Sequence, residues 1–166
     1  MRYDQSSGNG AGNLIGHTDQ DSPAQIFKEY GEERLASRIA KSIKEMTAMN
    51  TIADLREAIR RSTPPNHRDR TFARIFQALR IAVNGELDIL QKFLTKFIDF
   101  LRPGGRIVII SYHSLEDRLV KHSFKELAIG RTLDILTKRP ITATEKERKN
   151  NRRSRSAKLR AAVKES

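Results

Sequence analysis

Between Ser111 and Arg118 the chain gathers hydroxyl, phenol, imidazole, carboxyl and guanidinium groups: Ser111, Tyr112, His113, Ser114, Glu116, Asp117 and Arg118. An imidazole or carboxylate accepts hydrogen bonds, a hydroxyl both donates and accepts, and a guanidinium holds a phosphate or pairs with a neighbouring acid. His113, Ser114 and Asp117 are therefore candidate catalytic residues, and Arg118 a candidate substrate-binding residue. The same side chains also admit a structural reading. Ser114 and Asp117 have the Ser-x-x-Asp spacing of a helix cap, Arg118 suits a surface ion pair, and His113 suits a hydrogen-bonded structural histidine.

The preceding segment must position this cluster. Pro103-Gly104-Gly105 is turn chemistry, because proline fixes φ and glycine accepts positive φ. Ile107-Val108-Ile109-Ile110 is an unbroken β-branched run, which reads as a strand buried on both faces, as in a parallel sheet. Ligands in open α/β sheets bind outside the carboxyl ends of the strands, which is where the cluster falls.

Upstream, apolar residues from Ile26 to Met46 recur at helical spacing, with Gly31 as an interruption. Thr51 and Asp54 resemble a capping box for a second helix, which Pro64-Pro65 stops. A long helical region follows from about residue 70 to 101, divisible at Asn84-Gly85, with Phe and Leu on its core face and Arg74 and Arg80 expected to face water. Downstream, a helix from Ser114 to about Leu127 precedes a strand at 132–136. Residues 157–163 read as a closing edge strand or, on propensity alone, a helix.

The chain of 166 residues has no cysteine, which excludes disulfides and thiolate metal sites. No apolar run approaches a membrane span, the N-terminus lacks an apolar signal core, and a cytoplasmic location is expected. His17, His67 and His122 show no ligand-like spacing, so no metal is expected. The net charge of +12 is concentrated late, with eleven Lys/Arg against only Glu145 and Glu147 between Lys138 and Lys164. Such a block favours polyanions by releasing condensed counterions, and nucleic acid is the expected partner.

Several long segments carry a family resemblance: MRYDQS (1–6), YGEERLASRIAKSI (30–43), FQALRIAVNGEL (76–87), LRPGGRIVIISYHSLEDRLVK (101–121) and RSRSAKLR (153–160). In this order they closely resemble the ribosomal RNA small subunit methyltransferase H family, also called RsmH or MraW. The resemblance implies an S-adenosyl-L-methionine-dependent enzyme that methylates N4 of a cytidine in 16S rRNA, with the small ribosomal subunit as partner. It implies an α/β fold, the C-terminal half of a class I (Rossmann-like) methyltransferase sheet with a helical insertion subdomain. Residues 1–17 are then loop or disordered segment, 18–66 the helical insertion that recognises substrate, and 67–166 the C-terminal half of the methyltransferase domain with its basic stretch. It also implies substrate-binding roles for Asp4, Arg118, Arg153 and Arg155.

The chain departs from that pattern at its front. The glycine-rich segment and the ribose-binding acid expected of such enzymes would lie upstream of Met1, so the cofactor-binding residues are not assigned and the chain reads as N-terminally truncated. Gly8, Gly10 and Gly12 make a GxGxG-like run that no strand pattern precedes. Arg152 stands where the family motif has proline. The alternative reading is a non-catalytic RNA-binding remnant of the family. An unfinished sheet predicts association through its open edge.

Overall fold

The computed structural model describes residues 2–3, 6, 10–16 and 21–165, which divide into two compact units, Met1–Glu86 and Leu87–Ser166. The first unit is helical: α1 (Ala11–Gly16), α2 (Asp21–Glu29), α3 (Ala36–Lys44), α4 (Ile52–Ser62) and α5 (Arg68–Asn84). Its core is Phe27, Ile39, Ile43, Leu55, Ile59, Ile75 and Leu79, each nearly or fully buried. At about 1.5–3 kcal/mol per buried large apolar side chain, this set supplies the packing without which helices of 6 to 17 residues are marginal in water. Because α5 shares that core with α2 to α4, the unit runs on to Glu86.

The helix boundaries have local causes. Tyr30 to Leu35 form the turn between α2 and α3, and Gly31 is required there. A Cβ at Gly31 would stand 2.6 Å from the Phe27 carbonyl oxygen and 3.1 Å from that of Arg74 on α5. Thr51 and Asp54 form the expected capping box: the Asp54 N–H donates to Thr51 Oγ1 at 3.2 Å, and the Thr51 N–H donates to Asp54 Oδ2 at 2.8 Å. Gly85, at φ 60°, ends α5 in the left-handed conformation that glycine takes without steric cost. Within the stretch expected to be loop, Ala11–Gly16 is helical, because Ile15 is drawn into the core. Arg74 and Arg80 do not simply face water: Arg74 approaches Glu33, and Arg80 makes a forked pair with Glu86 at 2.9 and 3.0 Å.

The second unit is α/β. It contains most of α6 (Glu86–Lys96), then a 3-10 turn (Phe97–Phe100), β1 (Arg106–Ser111), α7 (Ser114–Ile129), β2 (Leu133–Ile135), β3 (Ile141–Thr142), α8 (Glu145–Asn150), a second 3-10 turn (Arg152–Ser156) and β4 (Lys158–Lys164). The sheet order is β1-β4-β2, with β3 also paired to β4, and every pairing is antiparallel. Leu94, Phe97, Val120, Phe124, Leu133 and Ala162 form its core, with Ile107 and Ile109 packed against them.

Two expectations change. β1 is not buried on both faces in a parallel pairing. It runs antiparallel to β4 and its side chains alternate, with Val108 and Ile110 exposed at 58% and 51%. β-branched composition sets strand propensity, whereas the chain path sets the direction of the partner. β4 is not an edge strand either, since it lies between β1 and β2. Its buried Arg160 and Ala162 alternate with half-buried Leu159, Ala161 and Val163, a two-faced pattern suited to a central position.

Candidate functional site

β1 ends on the buried Ser111, the backbone stays extended through His113 (φ −138°, ψ 166°), and α7 begins at Ser114. His113 caps α7. The Glu116 N–H donates to His113 Nδ1 at 3.3 Å, while Glu116 Oε2 accepts from the Tyr112 N–H at 2.8 Å and the His113 N–H at 3.3 Å. The cap is therefore His113 with Glu116, one residue ahead of the expected Ser114 and Asp117 pair. Ser114 is already helical, so its hydroxyl is past the point where it can cap the first turn.

With Nδ1 accepting, the neutral ring carries its proton on Nε2, an assignment inferred from the hydrogen bond. Nε2 is buried and lies 3.3 Å from Glu116 Oε1, an approach whose alignment falls short of a hydrogen bond. Burial pushes the Glu116 carboxyl up. The contact with His113 and the donated backbone N–H groups outweigh that and hold it below the usual carboxylate value.

Asp117 turns inward. Arg160 Nε donates to Asp117 Oδ1 at 2.7 Å, and Arg160 Nη2 and Lys158 Nζ donate to Oδ2 at 3.3 and 3.2 Å. Burial again raises the carboxyl, but these two cations prevail and lower it below its ordinary value of 3.8. This forked contact ties the first turn of α7 to the middle of the sheet. An ionised carboxylate saturated with cationic donors is a poor proton acceptor and a good strut.

The pairing of Ser111 with Lys158 places the start of β4 at the same sheet end as His113. The 3-10 turn Arg152–Ser156 leads into that strand and carries Arg153 and Arg155, both exposed. The turn is held by its own bonds. Ser154 Oγ donates to the Asn151 carbonyl at 2.8 Å, and the Arg153 N–H donates to Asn151 Oδ1 at 3.2 Å. Glu145, Arg148, Lys149, Arg152 and Arg155 line a groove of about 720 Å³ beside it.

One sheet end thus gathers His113, Ser114, Asp117, Arg118, Arg153 and Arg155. Ser114 and Arg118 are exposed, and both are engaged with other groups. Asp4 lies outside the described residues. Sequence reasoning missed Lys158 and Arg160, although their i, i+2 spacing on a strand places both on one face. It also gave no role to Tyr112, a residue 54% exposed at the corner. Among the described residues no three His, Asp or Glu side chains gather as a metal site, and no helix is long and apolar enough to cross a membrane.

Comparison with known proteins places this geometry. The model of the MraW methylase family matches residues 1–165. A protein of Trichormus variabilis named "Ribosomal RNA small subunit methyltransferase H" is 52% identical over 99% of this chain and 54% of its own length. Proteins of the same name from a Nostoc and a Synechocystis species are 50% and 48% identical, again over 99% of this chain, covering 55% and 54% of their own lengths. The chain spans about half the length of the curated relatives it matches. A match over nearly every residue, including the corner where β1 meets α7, leaves one conclusion: the chain belongs to the MraW methylase family.

Proposed function

We propose that this chain forms the RNA-facing part of an S-adenosyl-L-methionine-dependent methyltransferase acting on N4 of a cytidine in small-subunit rRNA, in the cytoplasm. The observation that carries the reading is the match to relatives named for small-subunit rRNA methylation, covering the strand-edge cluster and the basic stretch together. The family's Rossmann-like fold agrees with the α/β unit of Leu87–Ser166.

S-adenosyl-L-methionine supplies an electrophilic methyl group on a sulfonium. The described residues do not fit this cofactor. Gly10 and Gly12 flank the start of a six-residue helix that no described strand precedes, so they do not make the strand–turn–helix cradle such a ligand needs. No step is therefore assigned to it.

The chain's own residues hold and orient the RNA. The N4 lone pair of cytosine is delocalised into the ring. Methylation therefore requires the base out of its stack, close to the methyl group, with an acceptor drawing density from its N–H. Tyr112 offers an exposed ring on which an extruded base stacks, and the Ser114 hydroxyl offers the acceptor beside it. His113 and Asp117 act as positioning residues, the first by fixing the turn and the second by tying it to β4 through Arg160. Arg118, Arg153 and Arg155 take phosphates at the same sheet end. The helical unit recognises the surrounding RNA.

The test is methyl transfer from labelled cofactor to unmethylated small subunits, by this chain fused to the N-terminal half of the Trichormus variabilis relative. Label recovered as N4-methylcytidine is the expected result. Label on another atom or base rejects the proposal. Tyr112→Ala and Ser114→Ala lower the rate of a competent fusion about 10- to 100-fold if stacking and acceptance act as described.

A second reading, RNA binding without catalysis, is favoured by the cation-rich segment from Lys138 to Lys164 alone. Under it, small-subunit RNA binds the chain whether or not cofactor is present, and the fusion transfers no methyl group.

A further inference from the structure

An imidazole caps α7, and among capping groups it alone changes character close to neutral pH. Ser, Thr and Asn caps keep their acceptor oxygen at any ordinary pH, and an Asp cap keeps its own above about pH 4. A neutral histidine accepts through one ring nitrogen, and a protonated one through neither.

At His113 the accepting nitrogen is Nδ1, which takes the Glu116 N–H at 3.3 Å. The side chain is 7% exposed, and its buried Nε2 has no hydrogen-bond partner among the described residues. Glu116 Oε1 lies 3.3 Å from Nε2, while Oε2 of the same carboxylate holds the N–H groups of Tyr112 and His113. A proton arriving at Nδ1 turns the acceptor into a donor facing another donor. The Glu116 N–H then loses that partner, and attraction becomes repulsion. The same proton sets a positive charge beside Glu116 Oε1. That carboxyl is held below its usual value, so it stays ionised wherever imidazoles titrate.

The surrounding elements leave this exchange to the two residues. Asp117, the other acid of the first turn, is taken by Lys158 and Arg160 of β4. Arg118 is exposed and engaged with another group, and Arg153 and Arg155 of the preceding 3-10 turn are exposed. Arg106, Asp134 and Lys164 stand at the far end of the sheet, where Arg106 and Asp134 both pair with Val163. Glu116 is the carboxylate within reach of the ring.

We propose that His113 is a proton-operated catch on the first turn of α7. Neutral, it caps the helix and holds the corner in the form described. Protonated, it releases the Glu116 N–H, pairs with the Glu116 carboxylate and draws that carboxylate off the backbone of Tyr112. Acid thereby loosens the stretch carrying Tyr112 and Ser114. The tie from Asp117 to β4 persists, because that carboxyl titrates below its ordinary value of 3.8.

The test is an NMR titration of the full chain from pH 8 to pH 5, the range in which imidazoles change charge. The His113 ring nitrogens are followed together with hydrogen-exchange protection of the Glu116 amide, corrected for the intrinsic pH dependence of exchange. Protection is expected to fall about fivefold, the worth of one N-cap, with the same midpoint as the ring. His113→Asn supplies a cap that binds no proton, and is expected to keep protection level across the range. Glu116→Gln keeps an acceptor for the Tyr112 and His113 N–H groups but removes the attraction. It is expected to move the His113 midpoint to lower pH. Should His113→Asn fail to fold, the coincidence of the two wild-type midpoints and the Glu116→Gln shift decide. Three outcomes overturn the catch: amide protection that ignores the ring's titration, the wild-type pH response retained in His113→Asn, or a ring that does not titrate above pH 5. Neither RNA nor methyl donor enters the experiment, so it and the methyl-transfer assay fail independently.

Discussion

At the scale of single residues, the corner after β1 shows how one carboxylate spends its capacity. Asp117 is an acid in the first turn of a helix, where the dipole already favours it, yet its oxygens are taken by Arg160 and Lys158. Its pKa is lowered on folding, so its contribution to stability is complete well above 3.8 and drains away as pH falls through that value to the lower folded one. Asp117→Ala is expected to cost about 3 kcal/mol at neutral pH, because it strands the buried Arg160. Denaturant melts at pH 7 and pH 3 check both statements. The difference between wild type and variant should shrink in acid, and a constant difference would show that the pair contributes nothing.

At the scale of elements, two features argue for particular outcomes. The α2–α3 turn is jammed against α5 at Gly31, where an added methyl meets backbone rather than a yielding side chain. Gly31→Ala is expected to destabilise the helical unit by about 1–3 kcal/mol through overpacking, read as a lowered thermal midpoint. β1 presents the opposite situation. It lies at one end of the strand order, and Val108 and Ile110 stand exposed on one face. An open edge with bare apolar side chains invites association. Val108→Lys with Ile110→Lys should leave the unfolding free energy within about 0.5 kcal/mol of wild type while reducing self-association in light scattering. An unchanged scattering profile would show that the edge is not the sticky surface.

For the whole molecule, the charge distribution sets the strongest expectation. Cations on α8 and the following turn are held on hydrogen-bonded structure rather than on a loose tail, and they line a groove. Binding of small-subunit rRNA should weaken steeply with salt. Replacing Arg148, Lys149, Arg152 and Arg155 by Gln should lower the slope of log affinity against log salt by about 3. A slope insensitive to these four changes would move the RNA surface elsewhere.

Much of this arrangement was legible beforehand because its causes are local. Thr51 and Asp54 announce a cap within one turn, Asn84-Gly85 a break, Pro103-Gly104-Gly105 a turn, and a β-branched run a strand. Each is decided by residues that are neighbours along the chain. The location of the cluster at a strand end followed from the same logic. What stayed hidden depended on residues far apart in sequence. The antiparallel partner of β1 arrives some fifty residues later, Asp117 meets Arg160 across 43 positions, and Glu33 meets Arg74 across α3 and α4. Composition specified which side chains exist and what each can do. Only the folded chain decided which cation each acid would face, because that choice belongs to strand register and helix packing, to which no local pattern gives access.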